Sequence, residues 1–422
     1  MEQLSFLSRQ QIREIQNTFG TPVFVYDQAM LEKQAARALN FPNAYGVTAR
    51  YAMKACPNSA VIRILNRVGL HIDASSGFEA RRAMQAGVPP QHIQITAQQL
   101  PEDLNDLLDK EILFNACSLH QLRSYGKIKP KSDISIRVNP GLGSGHSQRT
   151  NVGGPSASFG IWHEHLDEIL TTANNFDLRI TGLHTHIGSG SDPEVWQKCA
   201  QLTLNVAAHL PEVTRVSLGG GYKVGRMLGE HSTDLEKAGQ PIVAEFERFA
   251  KDHGRKLHLE IEPGTFFVAN AGALITSVID IVDTGEQGYR FLKVDSGMTE
   301  LLRPSLYGAQ HPIVIVPQKE QDRDTANYLI AGHCCESGDI LTPSPDNPEG
   351  LQPRKLLEAA IGDAMFIGGS GAYCAGMAAK NYNSFPEAPE VILDKNGSFH
   401  LARHRQTLDQ IVCNEEIPNY LC

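Results

Sequence analysis

From about Val47 to Glu262, short apolar runs alternate with amphipathic segments of helix length. The runs are Val47–Met53, Leu70–Asp73, Ile93–Thr96, Ile112–Asn115, Ile134–Val138, Ile180–His186, Arg215–Leu218 and Leu257–Glu262. Each has the length and apolar content of a β-strand. Between them lie helix-like segments such as Gly77–Ala86, Leu166–Asn174, Trp196–His209 and Ile242–Asp252. Eight strands, most followed by a helix, predict a (β/α)8 barrel of about 250 residues.

The pattern changes from about Ala273 onward. Strand-like runs continue at Phe291–Asp295, Pro312–Val316, Tyr328–Ala331, Ala364–Ile367, Val391–Leu393 and Phe399–Arg403, but long helices are scarce. This predicts a C-terminal β domain. Thr21–Tyr26 reads as a strand ahead of the barrel that joins the β domain. The expected division is therefore residues 1–27 with the β domain, 28–275 as the barrel and 276–422 as the β domain. Thr342–Pro353, rich in Pro, Asn and Gly, reads as a surface loop.

Composition narrows the function classes. The chain has 422 residues, 41% of them hydrophobic, enough for a sizeable core. The net charge of −9 without long like-charge runs argues against nucleic acid or an anionic membrane as main partner. Met1 to Asn17 is polar and charged, without the apolar centre of a signal peptide, and no run approaches the roughly 20 apolar residues of a membrane span. The eight cysteines are scattered apart from Cys334-Cys335 and show no zinc-like spacing. A reducing, cytoplasmic setting is expected, and no metal.

In a (β/α)8 barrel the C-terminal strand ends carry the chemistry. Here those ends are polar again and again. Lys54 closes the first run before a Pro-Asn break, where apolar surroundings would desolvate its ammonium and favour an amine that attacks carbonyls. Asp73 ends the second run and Arg137 the fifth. His184-Thr185-His186-Ile187-Gly188-Ser189-Gly190 ends the sixth, Gly219-Gly220-Gly221 the seventh and Glu262-Pro263-Gly264 the eighth. A triple glycine lets backbone N–H groups close on a phosphate, and Ser189 adds a hydroxyl. His186 can stack on a flat heterocycle and Glu262 can face its ring nitrogen. Each residue also has an ordinary use: a capping lysine, a flexible turn, a core histidine, a strand-end ion pair. It is their convergence that points to a site. In the β region, Cys335-Glu336 offers a proton donor beside a carboxylate, and Gly371-Ala372-Tyr373 and Asn381-Tyr382-Asn383 follow.

Taken in order, Tyr-Ala-Met-Lys-Ala around Lys54, His-Thr-His-Ile-Gly-Ser-Gly, Gly-Gly-Gly, Glu-Pro-Gly, Arg303-Pro304-Ser305-Leu306-Tyr307, Cys-Glu-Ser-Gly-Asp, Gly-Ala-Tyr and Asn-Tyr-Asn span nearly the whole chain. This series resembles the alanine-racemase-like, fold type III pyridoxal phosphate decarboxylases. Gly145–Gly154 looks like one subgroup of them. The resemblance implies pyridoxal 5'-phosphate as cofactor, with Lys54 bonded to it. His186 would lie on its ring and Glu262 at the ring nitrogen. Asp73, Arg137, Ser189, Gly219, Gly220, Gly221, Gly264 and Tyr373 would lie around ring and phosphate. It further implies a small amino acid substrate, meso-diaminopimelate converted to L-lysine, whose far carboxylate meets Arg303 and Tyr307, with Glu336 and Tyr373 also binding substrate. Cys335 would supply a proton across the interface of a homodimer with shared sites. The other readings are a decarboxylase of a carboxylated polyamine or siderophore intermediate, an amino acid racemase, or a non-catalytic regulator. Two positions depart from the family pattern: Thr265 stands where an arginine usually follows Glu-Pro-Gly, and His333 where proline is usual.

Overall fold

The computed structural model describes residues 2–143, 153–186, 188, 190 and 192–421. Ser189 and most of Gly145–Gly154 lie outside them. The chain divides into two compact units: Met1–Met30, Gly225–Glu230 and Val268–Cys422 form one, and Leu31–Val224 with His231–Phe267 form the other.

The first strand, β1 (Val23–Asp27), belongs to the former unit. The other unit is built on β2 (Val47–Ala52), β3 (His71–Ala74), β4 (Ile93–Ile95), β5 (Leu113–Ala116), β6 (Asp133–Asn139), β7 (Ile161–Trp162), β8 (Arg179–His184), β9 (Arg215–Ser217) and β10 (His258–Ile261). All pair in parallel. β2 pairs with both β3 and β10, and β5 with both β4 and β6, so eight strands close into a barrel while β7 adds only to β6. Each of the eight apolar runs is one barrel strand. Two helices start earlier than their apolar periodicity suggested. Pro193–Ala208 is capped by the Asp192 side chain, and Leu235–His253 by that of Asp234. Pro241 sits inside the latter and masks its first turns in the sequence.

The β unit contains β11 (Gly272–Asp283), β12 (Arg290–Val294), β13 (Ile313–Val316), β14 (Thr325–Ala331), β15 (Pro343–Ser344), β16 (Asn347–Leu351), β17 (Arg354–Leu357), β18 (Ala364–Ile367), β19 (Glu390–Leu393) and β20 (Phe399–Arg403). β1 lies between β11 and β19. The long β11 organises the sheet. Its first half pairs with β1 and β18; then a register shift at Val278/Asp280 turns its second half to β12. Val23, Val25, Ala273, Ile275, Phe366 and Val391 are among the residues of its core, with Ile12 and Ile15 from the helix Arg9–Phe19. Thr342–Pro353 is not a plain loop: β15 and β16 form a two-stranded ribbon within it. Its alternating exposure carries almost no apolar signal, so composition alone reads as loop.

Candidate active site

Parallel register sets a row of polar side chains across neighbouring barrel strands. Arg137 in β6 pairs with His184 in β8, His184 with Ser217 in β9, and Ser217 with Glu260 in β10. Glu260 and Glu262 are two residues apart, the spacing that repeats one face of a strand. Glu260 forms a buried ion pair with Arg50 at 3.0 Å. Glu262 accepts a hydrogen bond from the Ser217 hydroxyl at 2.9 Å and shares one with His184 Nε2 at 2.7 Å. Burial alone would raise the Glu262 carboxyl, but the charge of His184 and these two hydrogen bonds outweigh it. Glu262 is therefore held as a carboxylate, well below its ordinary value.

Asp73, buried at the end of β3, goes the other way. Burial, then the negative charges of Glu262 and Glu79, raise its carboxyl, against the pull of Lys54 and a Thr96 hydrogen bond. One of these two acids is thus held ionised while the other is biased towards keeping its proton, the condition for separate acid and base roles. His186 is held neutral, its pKa lowered by burial and then by the charges of Arg137, Lys54 and His184. Arg137 rests 5.0 Å from the centroid of the Phe159 ring.

Lys54 lies in the short turn Met53–Ala55 after β2, between two buried neighbours, but its own side chain is exposed. The expected desolvation of this amine is not what the fold provides. Its own charge acts on Asp73, Glu79 and His186. The glycines are also placed by the chain itself. A Cβ on Gly219, at φ +73°, would come 2.6 Å from His186 Nδ1, and one on Gly220 2.2 Å from the Glu262 carbonyl oxygen. A side chain at either position would clash before any phosphate arrived. Gly221 accepts the Gly190 N–H at 3.0 Å, and a Cβ on Gly264 would meet Ala52 and Ala55 at 3.2 Å.

The β unit assembles the other candidates. Arg303 opens the helix Arg303–Tyr307, its guanidinium 6.0 Å from the Tyr307 ring centroid. Cys335 and Glu336 are exposed on a turn fixed from beneath. Asp339 accepts N–H bonds from Cys334 at 2.9 Å and Met298 at 2.7 Å, and Asn383 accepts that of Cys335 at 2.8 Å. Cys334 and Cys335 are both free thiols. His333 stacks on Phe385 at 3.6 Å and bonds Thr299 at 2.7 Å, which gives this departure from proline its own contacts. Tyr373 is held at φ +56°.

His184, Asp339 and Asn383 stand in motifs that the sequence displays but were given no role there, and Ser217 was not singled out. The role of Ser217 depends on cross-strand register, and those of Asp339 and Asn383 on contacts between distant turns.

These residues suit a flat, phosphorylated, electron-accepting heterocycle. Around the barrel end, Arg137 Nη2, Asp73 Oδ1 and His186 Nδ1 are buried without hydrogen-bond partners, which a polar ring and its substituents would supply. A parallel barrel with a lysine, a carboxylate and a glycine turn at its strand ends defines a class of cofactor-dependent enzymes rather than a single substrate. The chain belongs to the pyridoxal-dependent decarboxylases: the model of their pyridoxal binding domain matches residues 29–269. It is an enzyme that uses pyridoxal phosphate. Along its whole length it is similar to the diaminopimelate decarboxylase of Escherichia coli (strain K12), 35% identical over 97% of each chain. That of Streptomyces coelicolor is 34% identical, over 94% of this chain and 90% of that one. A crystal structure of a diaminopimelate decarboxylase superposes with a TM-score of 0.90 at 33% identity, covering 96% of each chain. The Helicobacter pylori enzyme complexed with L-lysine gives 0.83 at 28%, covering 95% of this chain and 98% of that one.

Proposed function

We propose that this protein decarboxylates meso-diaminopimelate to L-lysine in the cytoplasm, as a homodimer. The observation that carries the substrate is the likeness to diaminopimelate decarboxylases over 97% of both chains, through barrel and β unit alike. Pyridoxal phosphate, when bound, supplies an aldehyde for the amine and a ring that takes up the electrons of the broken C–C bond. Lys54 would be the amine that holds it. Glu262, kept ionised by His184 and Ser217, would hold a proton at the ring nitrogen. Neutral His186 would lie against the ring. Asp73, Arg137, Ser189, Gly219, Gly220, Gly221, Gly264 and Tyr373 would hold ring and phosphate.

Arg303 and Tyr307 bind the carboxylate that stays on the product, and Glu336 its ammonium. The C–C bond to the other carboxylate breaks, carbon dioxide leaves, and the Cys335 thiol delivers a proton to that carbon. Cys335 and Glu336 do this in the partner's site, a reading supported by their exposure on a rigid turn. No helix among the described residues is long and apolar enough to cross a membrane. The test is a panel of amino acids incubated with the holoenzyme, scored for carbon dioxide and product. Diaminopimelate should yield one equivalent each of carbon dioxide and L-lysine. Turnover only of a substrate without a second carboxylate would replace this reading by that of a polyamine-type decarboxylase.

A further inference from the structure

The stretch Gly225–Glu230 follows the triple glycine in sequence but packs as part of the β unit. Asn270 donates to the Gly225 carbonyl at 2.9 Å, and the Glu230 carboxylate accepts the N–H groups of Arg226 at 2.8 Å and Met227 at 3.2 Å. This loop presents Arg226 inward. Its Nε donates to the Gly369 carbonyl at 3.0 Å. Gly369 sits at φ +63°, and a Cβ there would be 2.9 Å from Arg226 Cδ and Cγ. The arginine stem therefore needs glycine beneath it.

The far end of the side chain is not satisfied. Arg226 Nη2 is sealed from solvent with no hydrogen-bond partner, and so is Arg303 Nε. Arg226 feels the charge of Arg303. Burial and then Arg303 pull Arg226 down to about 9, an unusual value for a group that normally never loses its proton. His311, buried near both, adds no negative charge: burial and the two arginines keep it neutral, and its Nε2 is likewise unpartnered. Glu230 is exposed, and its carboxylate already serves the loop backbone. Arg226 bonds the Gly369 carbonyl and His311 Nδ1 the adjacent Gly368 carbonyl at 3.0 Å, so their orphaned nitrogens share one neighbourhood, which the charge of Arg303 also reaches. Such donors form a site for an anion with two oxygens.

We infer that Arg226 is a specificity-determining residue that binds, with Arg303, the carboxylate retained on the product. This rests on the substrate reading above, through Arg303.

The test compares two probes on the holoenzyme by calorimetry. L-Lysine carries the retained carboxylate; 1,5-diaminopentane is the same skeleton without it. Arg226→Gln should weaken L-lysine roughly tenfold to a hundredfold, the loss of one charged hydrogen-bonding partner, and leave 1,5-diaminopentane within about twofold. Arg226→Lys, which keeps a charge and loses the fork, should fall between. Equal weakening of both probes would mean a structural arginine, and no change in either would remove it from the site. Weakened cofactor binding by apoenzyme titration, with the lysine preference intact, would assign it to the phosphate instead. A third arm does not depend on the substrate. Glutarate should raise the Tm of wild type and not of Arg226→Gln. Equal stabilisation of both overturns the anion site even if diaminopimelate proves not to be the substrate, and a difference upholds it.

Discussion

The central carboxylate of the barrel and the arginine pair of the β unit are completed in opposite ways. In the barrel, the central carboxylate is completed by its own chain: Glu262 has Ser217 on one oxygen and His184 on the other. In the β unit, Arg226 and Arg303 each keep a sealed nitrogen without a partner. The Glu262 cluster fixes its electrostatics before any ligand arrives, as preorganised catalysis requires. The arginine pair leaves its electrostatics to be completed by what binds, as selection among substrates requires. A mutation at Glu262 should therefore fall on kcat, and one at Arg226 or Arg303 on KM.

The largest effect expected is at Lys54. Lys54→Ala should cost about a thousandfold or more in kcat, the scale of losing a central catalytic group, and borohydride should fix the cofactor on Lys54 in wild type by peptide mapping. Cys335→Ala should cost about 100- to 10,000-fold as a lost general acid. Mixed, the two inactive variants should regain activity, because a mixed dimer keeps one of its two sites intact. An adduct on another lysine, or no recovery despite verified subunit exchange, would break the scheme.

Next is Glu262→Gln, which keeps the shape and removes the charge. A drop in kcat of about 100-fold is expected, on the scale of one preorganised electrostatic group, with KM nearly unchanged. Asp73 should then titrate lower, since the charge of Glu262 helps to raise it. A change confined to KM would mean that the Glu262 cluster is not preset.

Asn383→Ala sharpens the contrast within the β unit. Asn383 sits at φ +51°, which asparagine tolerates, and its side chain fixes the Cys335 N–H. We expect kcat to fall roughly tenfold, about one hydrogen bond, and no further loss when the change is made in a Cys335→Ala background. An additive loss would show that Asn383 supports the fold rather than the thiol.

These residues also mark what a sequence can and cannot reveal. Barrel strands buried on both faces read as continuous apolar runs, so all eight were legible, as were Lys54, Asp73, Arg137, His186 and Glu262 at the ends of five of them. β16 was not, because its five residues alternate between exposed and half-buried without an apolar face. Lys54 was legible as a position but not in its surroundings, since exposure is set by what packs nearby. The Ser217–Glu262 bond joins residues 45 apart and the Arg226–Gly369 bond residues 143 apart. Neither spacing has any periodic trace, so the partner of Glu262 and the inward turn of Arg226 appear only in three dimensions.

The smallest effect separates the two regions by pH. His71 in the barrel stacks on His92 at 4.1 Å; burial, then Arg50 and His92, lower it to about 4. His333 in the β unit is also lowered to about 4, by burial, against the opposing charge of Asp295. An imidazole with an ordinary value near 6.5 in the unfolded chain takes up its proton there first. Between about pH 6.5 and 4 the unfolded state binds more protons, so each histidine makes stability fall as pH falls through that window. Glu300, raised to about 7 mainly by burial, works in the opposite direction from about pH 4.5 to 7 and offsets His333 within its own unit. The overall pH curve therefore hides the histidines, and only the difference between wild type and variant isolates them. His71→Gln and His333→Gln should each lessen the loss of Tm between pH 6.5 and 5, by roughly 2 °C, whatever they cost at neutral pH. Thermal melts at the two pH values decide it. A Tm loss as steep in the variant as in wild type would mean that the imidazole is free to protonate in the folded chain, and would remove that region's histidine from the acid response.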